Sequence, residues 1–153
     1  MKKVLFVCRG NAFRSIISEA YLKSKELTGV TVYSRGSVAA EHKQSTLPYF
    51  RDTLDILQAH KISQYAKDHH ADQITQTDID NADILICINN IVFDELSEQF
   101  SLPENTKIWS IGDIGEEGRL VTNNVHAERK SHYEPIYSEI TKAVDELIEN
   151  DLA

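Results

Sequence analysis

The sequence predicts an α/β fold, a single domain built on a four-stranded parallel sheet with helices on both faces. Three observations carry that prediction. The stretches Val4 to Val7 and Asp83 to Ile88 hold apolar runs with no polar face, as in central strands covered on two sides. Strand-like runs alternate with segments of helical spacing, which implies parallel strands joined by right-handed crossovers. The length of 153 residues suits one core, and no repeat, low-complexity stretch or linker divides residues 1–153.

Taken in order, Val4-Leu5-Phe6-Val7 is the first strand, and Arg9 to Arg14, containing Gly10 and Asn11, is a turn. Ser15 is placed to cap a helix whose apolar positions are Ile16, Ile17, Ala20, Tyr21 and Leu22. Val30 to Tyr33 reads as the second strand, ended by Ser34-Arg35-Gly36-Ser37. Leu47 to Ala59 reads as a helix, with Pro48 near its start and Phe50, Leu54 and Leu57 on one face. Ile74 to Asn81 is a short helix capped by Thr75 or Thr77. The third strand is Asp83 to Ile88, followed by a helix over Ile91 to Phe100. Lys107 to Ile111 is the fourth strand. The segment Gly112 to Asn124 is a long loop with three glycines and several acids, and a last helix runs from about Glu134 to Asn150.

Composition narrows the class. Hydrophobic residues make up 41% and charged residues 26%, as in folded globular chains. The net charge of −8 argues against a general nucleic-acid binder, though not against a local anion pocket. The apolar run after Met1-Lys2-Lys3 is broken by Arg9, Gly10 and Asn11, too early for a secretory signal, and no segment is long enough to span a bilayer. The two cysteines, Cys8 and Cys87, have neither metal-ligand spacing nor the look of a disulfide scaffold. A reducing cytoplasm is therefore the expected compartment, and neither metal nor cofactor is expected.

The loop Cys8-Arg9-Gly10-Asn11-Ala12-Phe13-Arg14-Ser15 carries the chemistry. Ligands of open α/β sheets bind beyond the carboxyl ends of the strands, where Cys8 stands. Successive backbone N–H groups in such a loop form an anion nest, and the following helix N-terminus adds positive potential. Arg14 supplies a planar fork of donors suited to phosphate. Thiols near Arg and a helix N-terminus ionise at a pKa of about 3.5–7.5 rather than about 8.5, and a thiolate beside a phosphate monoester is a ready nucleophile. Taken alone, Cys8 reads first as a small buried hydrophobe at a strand end; the five-residue gap to Arg14 and the strand–loop–helix setting favour the nucleophile. A nucleotide P-loop fails for want of a lysine and a second glycine, and a dinucleotide fingerprint fails because only Gly10 is present.

These residues, with Val7 before and Glu19-Ala20 after, resemble the signature V-C-x-G-N-x-x-R-S-P-x-A-E of the low-molecular-weight protein tyrosine phosphatases. Ser34-Arg35-Gly36-Ser37 resembles that family's S-A-G-T, and His69 to Thr75 resembles its H-x-A-R-Q-[IL]-T. The resemblance implies a phosphate-binding loop after strand one and hydrolysis of phosphotyrosine in proteins, or of a small phosphomonoester, through a cysteinyl-phosphate intermediate. It implies Cys8 as nucleophile and Arg14 as clamp, with phosphate also held along Arg9, Gly10, Asn11, Ala12 and Phe13. Asn11 is implied to hold the loop's shape, Ser15 to assist the sulfur and His69 to support Asn11, although His69 also reads as a surface histidine. The family's general acid is the aspartate of a D-P motif, matched here by Asp113 with Ile114 in the proline's place, and Glu116 and Glu117 stand nearby.

The chain departs from the pattern at the pocket. No aromatic occurs in Val38 to Gln44 or Ile114 to Gly118, so Phe13 and Ile114 are the candidates for a substrate wall, and Arg9 adds positive charge at the rim. Ile16 stands where the signature has proline. Two other readings share the loop: a catalytically impaired phosphate-binding regulatory module, and a thiol-linked arsenate reductase. The reductase needs further thiols, and Cys87, inside an apolar strand, is expected to be buried. No nucleic-acid or membrane partner is expected.

Overall fold

The computed structural model describes residues 1–42, 47–67, 71–112 and 125–152, with the side chains of 41–42, 47–50 and 125–132 set aside. Four strands, β1 (Lys2–Cys8), β2 (Val30–Gly36), β3 (Ile84–Cys87) and β4 (Lys107–Ile108), form one parallel sheet in the order β2-β1-β3-β4. The helices are α1 (Arg14–Ser24), α2 (Ala39–His42), α3 (Leu47–Ala59), α4 (Gln76–Asn81), α5 (Asn90–Gln99) and α6 (Val125–Leu147). β2 lies on one side of β1 and β3 on the other, so the winding direction reverses at β1. A crevice opens at such a switch point, beyond the strand's carboxyl end.

Alternation along β1 builds both layers. Val4, Phe6 and Cys8 pack with Ile17 and Ala20 of α1 and with Ile136, Ile140 and Val144 of α6. Leu5 and Val7 face the other way and pack with Ile79 of α4 and with Val92 and Leu96 of α5. Both β1 faces are thus covered, which is why the strand carries no polar alternation. Each fully buried aliphatic side chain in these layers contributes about 1.5–3 kcal/mol.

Several boundaries differ from the sequence expectation, most by one to three residues at an element's end. α1 begins at Arg14 and not after Ser15, because the Ser15 hydroxyl is turned to the Cys8 sulfur and no side chain caps the Phe13 N-cap position. β4 is paired over two residues, yet the Trp109 and Ile111 amides still donate to Cys87 and Ile88 carbonyls, so Lys107 to Ile111 follows the sheet edge beyond the ladder. α6 starts at Val125, ahead of Pro135, where the apolar spacing that marks it begins. It gives way to a π-helical turn over Ile148–Leu152. Thr75 takes the cap of α4 through a reciprocal pair with Asp78, settling the choice between Thr75 and Thr77.

Candidate active site

β1 delivers Cys8 to the switch point, and the chain then turns through Arg9 to Phe13 into α1. Asn11 adopts φ of 51°, the left-handed region that costs most residues about 1–2 kcal/mol and that asparagine, after glycine, tolerates well. That conformation turns the Asn11 amide onto the sulfur, N to Sγ 3.2 Å. Gly36, paired with Cys8 in the sheet, lets β2 lie against the loop: a Cβ there would stand 2.6 Å from the Arg9 carbonyl oxygen and 3.0 Å from the Asn11 nitrogen. The Ser37 and Val38 amides donate to the Cys8 and Arg9 carbonyls. Thr53 of α3 donates to the Ala12 carbonyl.

The polarity of the hydrogen bonds around Asn11 is determined. Its Oδ1 receives the Lys67 ammonium at 2.7 Å and the Asp72 backbone N–H at 2.9 Å, both obligate donors. Its Nδ2 therefore donates, to Ser15 Oγ at 2.9 Å and to Ser34 Oγ at 3.0 Å. Each serine then has its own proton to give. Ser34 donates to the buried Glu19 carboxylate. Ser15 Oγ lies 3.0 Å from Cys8 Sγ and keeps its own proton while accepting from Asn11, so once the sulfur is ionised it is Ser15 that donates. A sulfur anion at Cys8 would thus meet two donors and the N-terminus of α1, whose N-cap residue Phe13 supplies no side-chain cap.

Cys8, Asn11, Arg14 and Ser15 are all fully buried, and Gly10, Ala12 and Phe13 are buried with them. In so low a dielectric, charge–charge and charge–dipole terms gain strength. Around the loop the picture is less expected. Arg9 spends Nε and Nη2 on the Glu95 carboxylate of α5 at 3.0 and 3.2 Å, so the rim's extra cation comes already paired. Phe13 offers no substrate wall: its ring is fully buried against Tyr133, centroids 4.7 Å apart.

The structure thus brings together Cys8, Asn11 and Ser15, with Arg9 to Phe13 as the intervening turn and Arg14 buried at the first residue of α1. Asp113 and His69 lie outside the described residues, as do Ile114, Glu116 and Glu117. Cys87 is buried in β3, and burial pushes its thiol up to about 12. Among the described residues no group of three or more His, Cys, Asp or Glu is placed to hold a metal ion, and no helix is long and apolar enough to cross a membrane. Sequence reasoning missed Lys67 and Glu95. Lys67 is 56 residues from Asn11 and Glu95 is 86 from Arg9, and neither sits in a motif that points to the loop.

Comparison with known proteins bears on this geometry. The family model for low molecular weight phosphotyrosine protein phosphatase matches residues 3–152. The low molecular weight protein-tyrosine-phosphatase PtpB of Staphylococcus haemolyticus is 28% identical over 120 residues, covering 78% of this chain and 79% of that one. A protein-arginine-phosphatase of Geobacillus stearothermophilus is 39% identical over 69 residues, covering 44% of this chain and only 47% of that protein's length. In structure, the low molecular weight protein tyrosine phosphatase SP-PTP of Streptococcus pyogenes superposes with a TM-score of 0.75 at 24% identity, over 100% of this chain and 95% of that one. A match running almost from end to end, on a sheet that carries cysteine and arginine at the two ends of one turn, places this chain in the low molecular weight phosphotyrosine protein phosphatase family.

Proposed function

We propose that this chain removes phosphate from phosphotyrosine in proteins by way of a cysteinyl-phosphate, in a reducing cytoplasm that keeps Cys8 a thiol. The observation that carries the reading is the polarised set of donors on the sulfur: Asn11 N–H at 3.2 Å and Ser15 Oγ at 3.0 Å. In the first step Cys8 Sγ attacks phosphorus, the P–O bond to the leaving group breaks, and Asp113 gives that oxygen its proton. The loop amides from Arg9 to Arg14 and the Arg14 guanidinium hold the three equatorial oxygens. In the second step water attacks phosphorus, its proton returns to Asp113, and the P–S bond breaks while Ser15 stabilises the departing sulfur. No cofactor enters either step.

A second substrate has a specific observation in its favour. The relative with the higher identity is a protein-arginine-phosphatase, and the present sequence lacks aromatics at Val38 to Gln44 and Ile114 to Gly118. The same attack on phosphorus would then break a P–N bond and release a guanidine. The arsenate-reductase reading would need a second accessible thiol, and Cys87 is buried in β3.

The test is turnover by fresh reduced protein of an aryl phosphate, a phosphotyrosine peptide and a phosphoarginine peptide. Turnover is expected to vanish in Cys8→Ser while phosphate binding persists. Asp113→Asn should slow poor leaving groups most. Absence of turnover between mildly acidic and neutral pH would instead leave a phosphate-binding module.

A further inference from the structure

One carboxylate gathers the segments that follow three strands. Arg9 follows β1, Ser37 follows β2, and Glu95 belongs to the helix that follows β3. Arg9 Nε donates to Glu95 Oε1 at 3.0 Å and its Nη2 to Oε2 at 3.2 Å, a two-point pairing. Ser37 Oγ donates to the same Oε1 at 3.3 Å. The Arg9 carbonyl is itself held by the Val38 amide at 3.0 Å, so the Arg9 main chain is tied to the segment after β2 while its side chain is tied to α5. The two side chains are 24% and 21% exposed, too covered for water to screen the pair as it screens one on an open surface.

We propose that Glu95 is a specificity-determining residue of the phosphate site. It keeps the charge of Arg9 within an ion pair, so a substrate meets a near-neutral rim and not a second cation beside Arg14. The inference rests on the reading that the loop takes a phosphoryl group. Its consequence is a choice among substrates: phosphorylated peptides with neutral flanks are accepted as readily as acidic ones, a balance the sequence's bare arginine would not give. Glu95 acts through Arg9, so it is a positioning residue and not a reacting one.

The experiment compares the wild type, Glu95→Gln, Arg9→Leu and the double variant. Two quantities are read at low and at physiological ionic strength. One is the inhibition constant of inorganic phosphate against an aryl phosphate. The other is the kcat/KM ratio for acid-flanked over neutral-flanked phosphotyrosine peptides. Glu95→Gln should lower the phosphate constant about threefold to tenfold at low salt and raise the peptide ratio by a similar factor, both effects fading with salt. Arg9→Leu, which strands the carboxylate, should move both in the opposite direction, and the double variant should return close to wild type. The idea fails if an active Glu95→Gln enzyme shows neither change, if the changes persist without Arg9, or if Arg9→Leu leaves both unmoved. A wild type that neither turns over nor binds phosphate would remove the underlying reading, and this one with it.

Discussion

Gly36→Ala should damage the loop more than the fold. A Cβ at Gly36 would lie 2.6 Å from the Arg9 carbonyl oxygen, 2.7 Å from the Ala39 Cβ and 3.0 Å from the Asn11 nitrogen. Carbon makes comfortable contacts at about 3.5–4.0 Å, so the shortfall is roughly 1 Å. Gly36 cannot easily retreat, because its N–H donates to the Asp72 carbonyl at 2.8 Å and its carbonyl accepts from the Ile74 amide at 3.0 Å. The loop backbone must move instead. Where a methyl fits, glycine to alanine gains about 0.4–1 kcal/mol; here overpacking costs about 1–3 kcal/mol, so the sign is a net loss. A displacement near 1 Å at a reacting group costs about a hundredfold in rate, and kcat/KM should fall by about tenfold to a hundredfold. The assay pairs urea unfolding with aryl phosphate kinetics. Gly29→Ala is the control: it has open space around it but φ of 78°, so it should lose stability while keeping its kcat/KM. A Gly36→Ala enzyme with wild-type kcat/KM would refute the steric reasoning.

The remaining predictions follow from the same geometry. Ser15→Ala removes a donor 3.0 Å from the sulfur, so iodoacetamide alkylation of Cys8 should shift to higher pH and breakdown of the phosphoenzyme should slow about tenfold, read by burst kinetics. Lys67→Met leaves Asn11 Oδ1 with the Asp72 amide alone; kcat/KM should drop about tenfold, and Lys67→Arg should recover part of it. At pH 8, mass spectrometry should find alkylation at Cys8, blocked by phosphate, and none at Cys87, whose thiol burial holds at about 12. Because that value lies above the ordinary 9.0, Cys87 brings no pH dependence below about 9, and stability should fall as pH climbs from there toward 12. Cys87→Ala should flatten that part of the slope in urea titrations.

What the sequence revealed and what it hid divide by range. The central strands were legible because burial on both faces leaves an unbroken apolar run, as at Val4 to Val7 and Ile84 to Ile88. The loop was legible because its donors are neighbours in the chain and their spacing is itself the geometry. Glu95 and Lys67 were not legible, since a carboxylate on α5 or a lysine ahead of α4 acquires meaning only when the sheet order brings it to the turn. Phe13 misled for a related reason: a residue in the loop need not face the ligand, and this one anchors the turn to Tyr133. The start of α1 was misread because Ser15 has a capping side chain whose hydroxyl is drawn instead to sulfur.

The single orientation forced on the Asn11 amide has a consequence for anyone wishing to transplant this chemistry. Residues 8–15 copied into another parallel α/β scaffold would bring the thiol but not the ammonium, the backbone amide and the distant carboxylate that decide which way its neighbours' protons face. Without them the carboxamide is free to flip, Ser15 is free to aim its hydroxyl elsewhere, and the graft becomes an ordinary turn. The portable unit is the eight-residue loop together with Glu19, Ser34, Gly36, Lys67 and Asp72, a discontinuous set whose spacing any recipient fold would have to reproduce.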